Sequence, residues 1–110
     1  MSFELLYYIL SLMTLQEIYN LAILLGKKAD PRGEKLVDQY LKRLKKEYDE
    51  MPNRRKKYFD LESLINPYSD TRILYGNPKT NVKKILVGID SDAAEVLLAD
   101  RLNQKGAKID

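Results

Sequence analysis

Val82-Lys83-Lys84-Ile85-Leu86-Val87-Gly88-Ile89-Asp90-Ser91-Asp92 is the stretch that sets the fold. Residues 85–89 are apolar at almost every position, so a strand here turns apolar side chains to both faces. That pattern belongs to a parallel or mixed sheet covered from both sides. A strand is therefore expected over 82–89. Asp92, with Glu95 three residues on, has the form of a capping box for a helix through Ala94, Val96, Leu97, Leu98 and Leu102. Gly106, after Gln104-Lys105, ends it. Ala107-Lys108-Ile109-Asp110 then begins a return strand, which in a βαβ unit pairs parallel to the first. Strands usually run five or six residues, so the expectation is a structural unit that continues past Asp110. A short final edge strand closing a small α+β domain is the alternative.

Upstream, Arg72-Ile73-Leu74-Tyr75 is a short strand-forming run stopped by the turn signal Gly76-Asn77-Pro78. Before residue 68 the period is helical. Leu36, Val37, Tyr40, Leu41, Leu44, Tyr48 and Met51 recur at steps of three and four, with Ala29-Asp30-Pro31-Arg32-Gly33 leading in and Pro52 ending the helix. Arg54-Arg55-Lys56-Lys57 is placed in the following loop. Asp60 caps a short helical stretch over 61–65 that Asn66-Pro67 terminates. Thr14-Leu15-Gln16-Glu17 is another capping box, opening a helix with Leu15, Ile18, Ala22 and Leu25 on its apolar stripe and Gly26 at its end. Residues 1–12 then form an apolar addition, and Met13 is a possible start. One long buried helix over 3–25 is the competing reading.

Composition limits the chemistry. The 110 residues contain no cysteine, histidine or tryptophan, so the chain as given has no zinc cluster, disulfide framework, Cys-His or Ser-His nucleophile, or histidine base. Nineteen basic against sixteen acidic residues leave a net charge of +3, too even to name a nucleic-acid partner. The excess is local: residues 27–57 hold twelve basic and six acidic groups. Read plainly, that is a solvated helix face, although such a run is also able to bind phosphates. Residues 3–25 are apolar or aromatic at seventeen of twenty-three positions, but Gln16 and Glu17 near the middle argue against a membrane span, and no basic residue precedes the run as in a secretory signal.

Asp90 and Asp92 have the composition of an acid/base couple or a magnesium site, yet both stand at a helix start, where capping explains them. Gly76 and Gly88 are isolated, with no phosphate-loop context. Most of the eight tyrosines fall on apolar stripes, as core residues do.

Three stretches carry a resemblance. They are Asn66-Pro67-Tyr68-Ser69-Asp70-Thr71-Arg72-Ile73-Leu74-Tyr75-Gly76-Asn77-Pro78, then Val82 through Asp90, then Leu97-Leu98-Ala99-Asp100-Arg101-Leu102-Asn103-Gln104-Lys105-Gly106-Ala107-Lys108-Ile109-Asp110. Together they resemble the opening of the Nif-three-like family of dinuclear metal-centre proteins, also described as GTP cyclohydrolase type-two-like. Leu15-Gln16-Glu17-Ile18-Tyr19 and Ala29-Asp30-Pro31-Arg32-Gly33 are similar to the start of a long-headed branch, so the likeness covers roughly residues 13–110. It implies an α/β metal-binding, hydrolase-like protein, a hexameric homo-oligomer, with two divalent metal ions held by histidines and carboxylates. In the family, a paired-histidine motif follows the segment matching Gly106 to Asp110. This chain ends before that pair, so no residue inherits a metal-ligand or catalytic assignment. Asp70 and Asp90 match aspartates of the family and are the candidates for positions near a metal cleft, with turn stabilisation and helix-entry capping as their structural roles.

The organisation expected is an apolar extension over 1–12, a helical head over 13–67, and over 68–110 the first strands and helix of an incomplete α/β domain. The function expected is that of an N-terminal part of a cytoplasmic dinuclear metal-centre protein, inactive alone. A non-catalytic interaction or assembly module, using the basic head against subunits or an acidic partner, is the other class.

Overall fold

The computed structural model describes residues 13–110; the apolar extension expected over 1–12 lies outside the described residues. The Thr14 amide donates to Glu17 Oε2 at 2.9 Å, and the Glu17 amide to Thr14 Oγ1 at 3.2 Å. The capping box is therefore formed. The Leu15 and Gln16 amides donate to the Thr80 and Pro78 carbonyls at 2.9 Å each, meeting first-turn donors that helix geometry leaves without a partner. Helix α1 spans Leu15–Ala29. Because Met13–Thr14 are extended, the alternative of one helix over 3–25 is excluded. The helix passes through Gly26 and does not stop there. A Cβ on Gly26 would lie 3.0 Å from Tyr68 Cε2, so this glycine makes room for a ring.

Gly33, at φ 84°, turns the chain into α2, Glu34–Glu50. Val37 is fully buried, and Leu41, Leu44, Tyr48 and Met51 are half-buried on the same stripe. Leu36 and Tyr40, expected to join them, are exposed. Pro52 starts a further short helix, α3, Asn53–Lys56, so Arg54, Arg55 and Lys56 are helical and not in a loop. The Arg55 and Lys56 amides donate back to the Pro52 carbonyl at 2.8 and 3.1 Å, which is how helix resumes directly after the break. The Phe59 ring packs 4.9 Å from that of Tyr48. Asp60 then accepts from the Glu62 amide at 3.2 Å and opens a 3-10 turn, Leu61–Leu64, which packs on α2.

The strands differ most from expectation. Met13–Thr14 (β1) pairs with Asn81–Val82 (β2) in an antiparallel ladder, Met13 opposite Val82 and Thr14 opposite Asn81. Among the described residues the strand expected over 82–89 is limited to its first position, and its partner is antiparallel. Residues 72–75 form no strand: the Arg72 guanidinium is held by Asp60 and Glu62, while Leu74 and Tyr75 lie open to solvent. A strand needs a neighbour to take its backbone groups, and neither run has one along its length among the described residues. The return toward β2 does begin, since the Asp110 amide donates to the Lys84 carbonyl at 3.0 Å.

Helix α4, Ala93–Gln104, has the expected cap: Ala94 donates to Asp92 Oδ1 at 3.0 Å and Asp92 to Glu95 Oε2 at 2.8 Å. Gly106, at φ 91°, follows its end. The whole is a mixed α+β arrangement, mainly helical with a small antiparallel ladder. It divides into two compact units, Ile18–Tyr75 and Met1–Glu17 with Gly76–Asp110.

Candidate functional site

In the unit Ile18–Tyr75, the 3-10 turn and the loop after it converge on one buried polar side chain. Asn66 is 1% exposed. Its Nδ2 donates to the Thr71 carbonyl at 2.7 Å and to the Tyr19 hydroxyl at 3.1 Å, and its Oδ1 accepts from the Tyr68 amide at 2.8 Å. The Tyr19 hydroxyl in turn donates to Glu62. Arg72 spans two carboxylates, with Nη1 2.7 Å from Glu62 Oε2 and Nη2 2.7 Å from Asp60 Oδ2. Its Nε is buried and meets no acceptor among the described residues.

Charge follows geometry here. The Arg72 guanidinium holds the Asp60 carboxyl below its ordinary range, and the Tyr19 hydroxyl, followed by Arg72, does the same for Glu62. Burial, reinforced by Glu62, pushes the Tyr19 phenol up. A second cluster sets Asp30 between Arg32, 2.9 Å away, and the Tyr68 hydroxyl at 3.0 Å; chiefly through Arg32, its carboxyl stays far below the usual range. A carboxylate bound this closely is a poor base and a poor metal donor, because both roles require giving up the arginine. These networks fix a fold. Sequence reading missed them, taking Asn66 as a helix terminator and Arg72 as a strand residue. The available signal was Asn66-Pro67 followed by an arginine within reach of two acids.

The other unit carries the candidate surface. A groove of about 270 Å³ lies between residues 85–88, α4 and the chain after it, lined by Ile85, Leu86, Val96, Leu98 and Ile109, with Glu95 at its edge. Asp110 closes one end. Its Oδ2 accepts from the Lys83 and Lys84 amides at 2.6 and 2.9 Å, and these N–H groups hold the carboxyl below its usual range. Lys84 Nζ donates to the Ala107 carbonyl. The Asn103 side chain stands in for a backbone pair, accepting from the Ile109 amide at 2.6 Å and donating to its carbonyl at 2.8 Å. The groove is mainly apolar, with the Ser91 hydroxyl also on its lining.

Of the sequence candidates, Asp70 is exposed in the unit Ile18–Tyr75 and Asp90 is exposed in the other. The helix-entry cap is Asp92, not Asp90. Among the described residues no three carboxylates come together as a metal-holding group, and no helix is long and apolar enough to cross a membrane. In the basic segment, Lys27 pairs with Asp38 at 2.6 Å and Lys45 with Asp49 at 2.5 Å, while Arg54, Arg55 and Lys57 stay exposed. No family model, curated protein or solved structure matches the chain.

Proposed function

We propose that the chain is the N-terminal part of a Nif-three-like dinuclear metal-centre protein, cytoplasmic and hexameric when complete, to which these residues contribute scaffold and not metal ligands. The observation that supports the reading is the return of the chain after α4: Asp110 engages Lys83 and Lys84 through backbone and side chain. A strand–helix–return unit delivers whatever follows it to the carboxyl-terminal edge of a sheet, where ligands gather in α/β proteins. In the family resembled, that edge carries the paired histidines.

The reading is tested on the coding sequence beyond the Asp110 codon. An in-frame or frameshifted continuation encoding a strand and a histidine pair is expected; unrelated sequence overturns it. The chain itself, titrated calorimetrically with manganese or zinc, is expected to bind no more tightly than about millimolar, the range of weak oxygen-donor sites. Stoichiometric micromolar binding would contradict the scaffold role.

The module reading rests on the exposed Arg54, Arg55 and Lys57 beside Tyr58, whose ring lies 4.9 Å from Lys57 Nζ. It requires salt-dependent binding to an acidic partner that charge reversal at Arg54 and Arg55 abolishes.

A further inference from the structure

Around α3 and the turn after it, cations and aromatic rings stand side by side. Residues 51–59 hold four basic residues and no carboxylate. The carboxylates that flank them are committed elsewhere: Asp49 to Lys45 at 2.5 Å, and Asp60 and Glu62 to Arg72 at 2.7 Å each. Arg54, Arg55 and Lys57 are exposed and make no ion pair among the described residues. Unlike Tyr19, Tyr48 and Tyr68, which are half-buried, Tyr58 is 82% exposed. The Lys57 ammonium lies 4.9 Å from its ring centroid and occupies one ring face; the exposure leaves the other face open. Beside the ring is a cavity of about 280 Å³ lined by Met51, Arg55, Tyr58 and Phe59. The fold sets its walls. The Tyr58 and Phe59 amides donate to the Arg55 and Lys56 carbonyls at 3.1 Å each. The Phe59 ring packs on Tyr48, over which the Lys45 and Lys56 ammonium groups lie at 5.5 and 5.0 Å.

We propose that this face binds single-stranded nucleic acid, its phosphates held by Arg54, Arg55 and Lys57 and one base seated against the Tyr58 ring in the cavity. The net charge of the chain names no such partner, but the local charge does, because three cations without carboxylate partners complement a run of phosphates. The rings narrow the choice further. A base splayed out of a single strand offers a flat π-face to an exposed tyrosine and to a cavity walled by Phe59 and Met51, and stacking of this kind accepts any base. In a duplex the bases are stacked on one another and cannot enter. An acidic polypeptide matches the cations but has no planar group at each charge to cover Tyr58. The proposal rests on the module reading of the same residues, which it deepens by naming the partner, and it is independent of the metal-centre reading.

The test is fluorescence anisotropy on the full chain with a fluorescein-labelled oligothymidylate of about twelve nucleotides. Binding is expected at low salt, with log K falling against log salt at a slope of about −2, as three phosphate contacts on a single strand require. Arg54→Gln together with Arg55→Gln is expected to bring that slope to about −0.7. Tyr58→Ala is expected to weaken binding roughly 5- to 150-fold, the loss of one stacked base, whereas Tyr58→Phe, which keeps the ring, binds as the native chain does. An abasic oligomer of the same length is expected to bind more weakly and to be indifferent to Tyr58→Ala. An oligouridylate run alongside assigns the strand to DNA or RNA, and binding of either supports the proposal. Equal binding of abasic and base-bearing oligomers, a preference for duplex, or no effect of Tyr58→Ala would each overturn it. Salt-dependent binding of oligoglutamate with none of the oligonucleotides would overturn it and leave the module reading standing; if neither binds, both fall.

Discussion

At the scale of single residues, the unit Ile18–Tyr75 depends on two positions whose roles are opposite to their usual ones. Asn66 is a polar residue serving as core: its amide makes three bonds inside the protein, to Tyr19, Thr71 and Tyr68. Asn66→Ala leaves the half-buried Thr71 carbonyl and Tyr68 amide without their partner, and an unsatisfied buried group costs roughly 1–3 kcal/mol. The expected loss is about 2 kcal/mol in urea unfolding, read as a lower midpoint with unchanged slope; a loss below about 0.5 kcal/mol would show that water replaces the bonds. Gly26 is a helix-interior glycine that ought to gain about 0.5–1 kcal/mol on replacement by alanine. The Tyr68 ring, 3.0 Å from the new Cβ, takes that gain away. Gly26→Ala is therefore expected to be neutral or destabilising in the native background and stabilising by about 0.5 kcal/mol when Tyr68→Ala is also present. Equal effects in both backgrounds would mean that the ring moves aside freely. The role of Gly26 was not readable from sequence, because it is set by Tyr68 more than forty positions away, and that of Asn66 was readable only in part, because Tyr68 and Thr71 are local partners while Tyr19 is not.

At the scale of elements, what could be read was whatever is satisfied locally. The start of α1, the span of α2, the Asp60 cap and the whole of α4 follow from spacings of three and four residues within one segment, where helix donors and acceptors find each other. The errors also have local causes. Gly26 has the look of a stop because a glycine after a helical run usually is one, and the basic run after Pro52 has the look of a loop because helix resumes there for one turn only. Strands failed for a different reason: an apolar run specifies burial but not a partner, and the neighbour of Val82 proved to be Met13, almost seventy positions earlier. At the entry to α4 it is Asp92, as its spacing to Glu95 implies, and not the site candidate Asp90, that aligns its carboxylate with the free amides. This gives an element-scale prediction. In Asp92→Ala, deuterium exchange at the Ala94 amide, and at its neighbours in the first turn, is expected to accelerate, with the last turn of α4 unchanged. Uniform acceleration along the helix would show that α4 is held by its cap alone, and no change would show that the amide has another acceptor.

At the scale of the whole molecule, the electrostatics predict how stability depends on pH. Five carboxyls lie below their ordinary range, each for a named reason: Asp30 through Arg32, Asp60 through Arg72, Glu62 through Tyr19 and then Arg72, Asp92 through the Ala94 amide, and Asp110 through the Lys83 and Lys84 amides. A group whose pKa is lower in the folded state than in the unfolded chain takes up protons more readily when unfolded. Its stabilisation is complete above the unfolded value, about 4 for a carboxylate, and is lost as pH falls through the folded value. All five act in the same direction, so stability is expected to stay level from neutrality down to about pH 5 and then to decline steeply. The two phenols act at the other end. Burial raises both Tyr19 and Tyr68, so their contribution is present at neutrality and is lost only as pH rises past about 10. Arg72 is the means of dissecting the acid limb, because among the described residues it alone bridges two of the five carboxyls. Arg72→Met is expected to lower stability at pH 7 and to make the decline below pH 5 shallower, since Asp60 loses the main cause of its lowering and Glu62, still bonded by Tyr19, loses part of its own. Arg32→Met is expected to flatten the lowest part of the limb, because Asp30 is the carboxyl held furthest down. Thermal unfolding followed at half-unit steps from pH 2 to pH 7 reads both effects. If the Arg72 variant loses stability equally at every pH, the bridge acts by packing and not by charge. If its acid limb is the shallower one, the same arginine that left Asp60 and Glu62 unavailable to a metal is what ties the fold of this unit to pH.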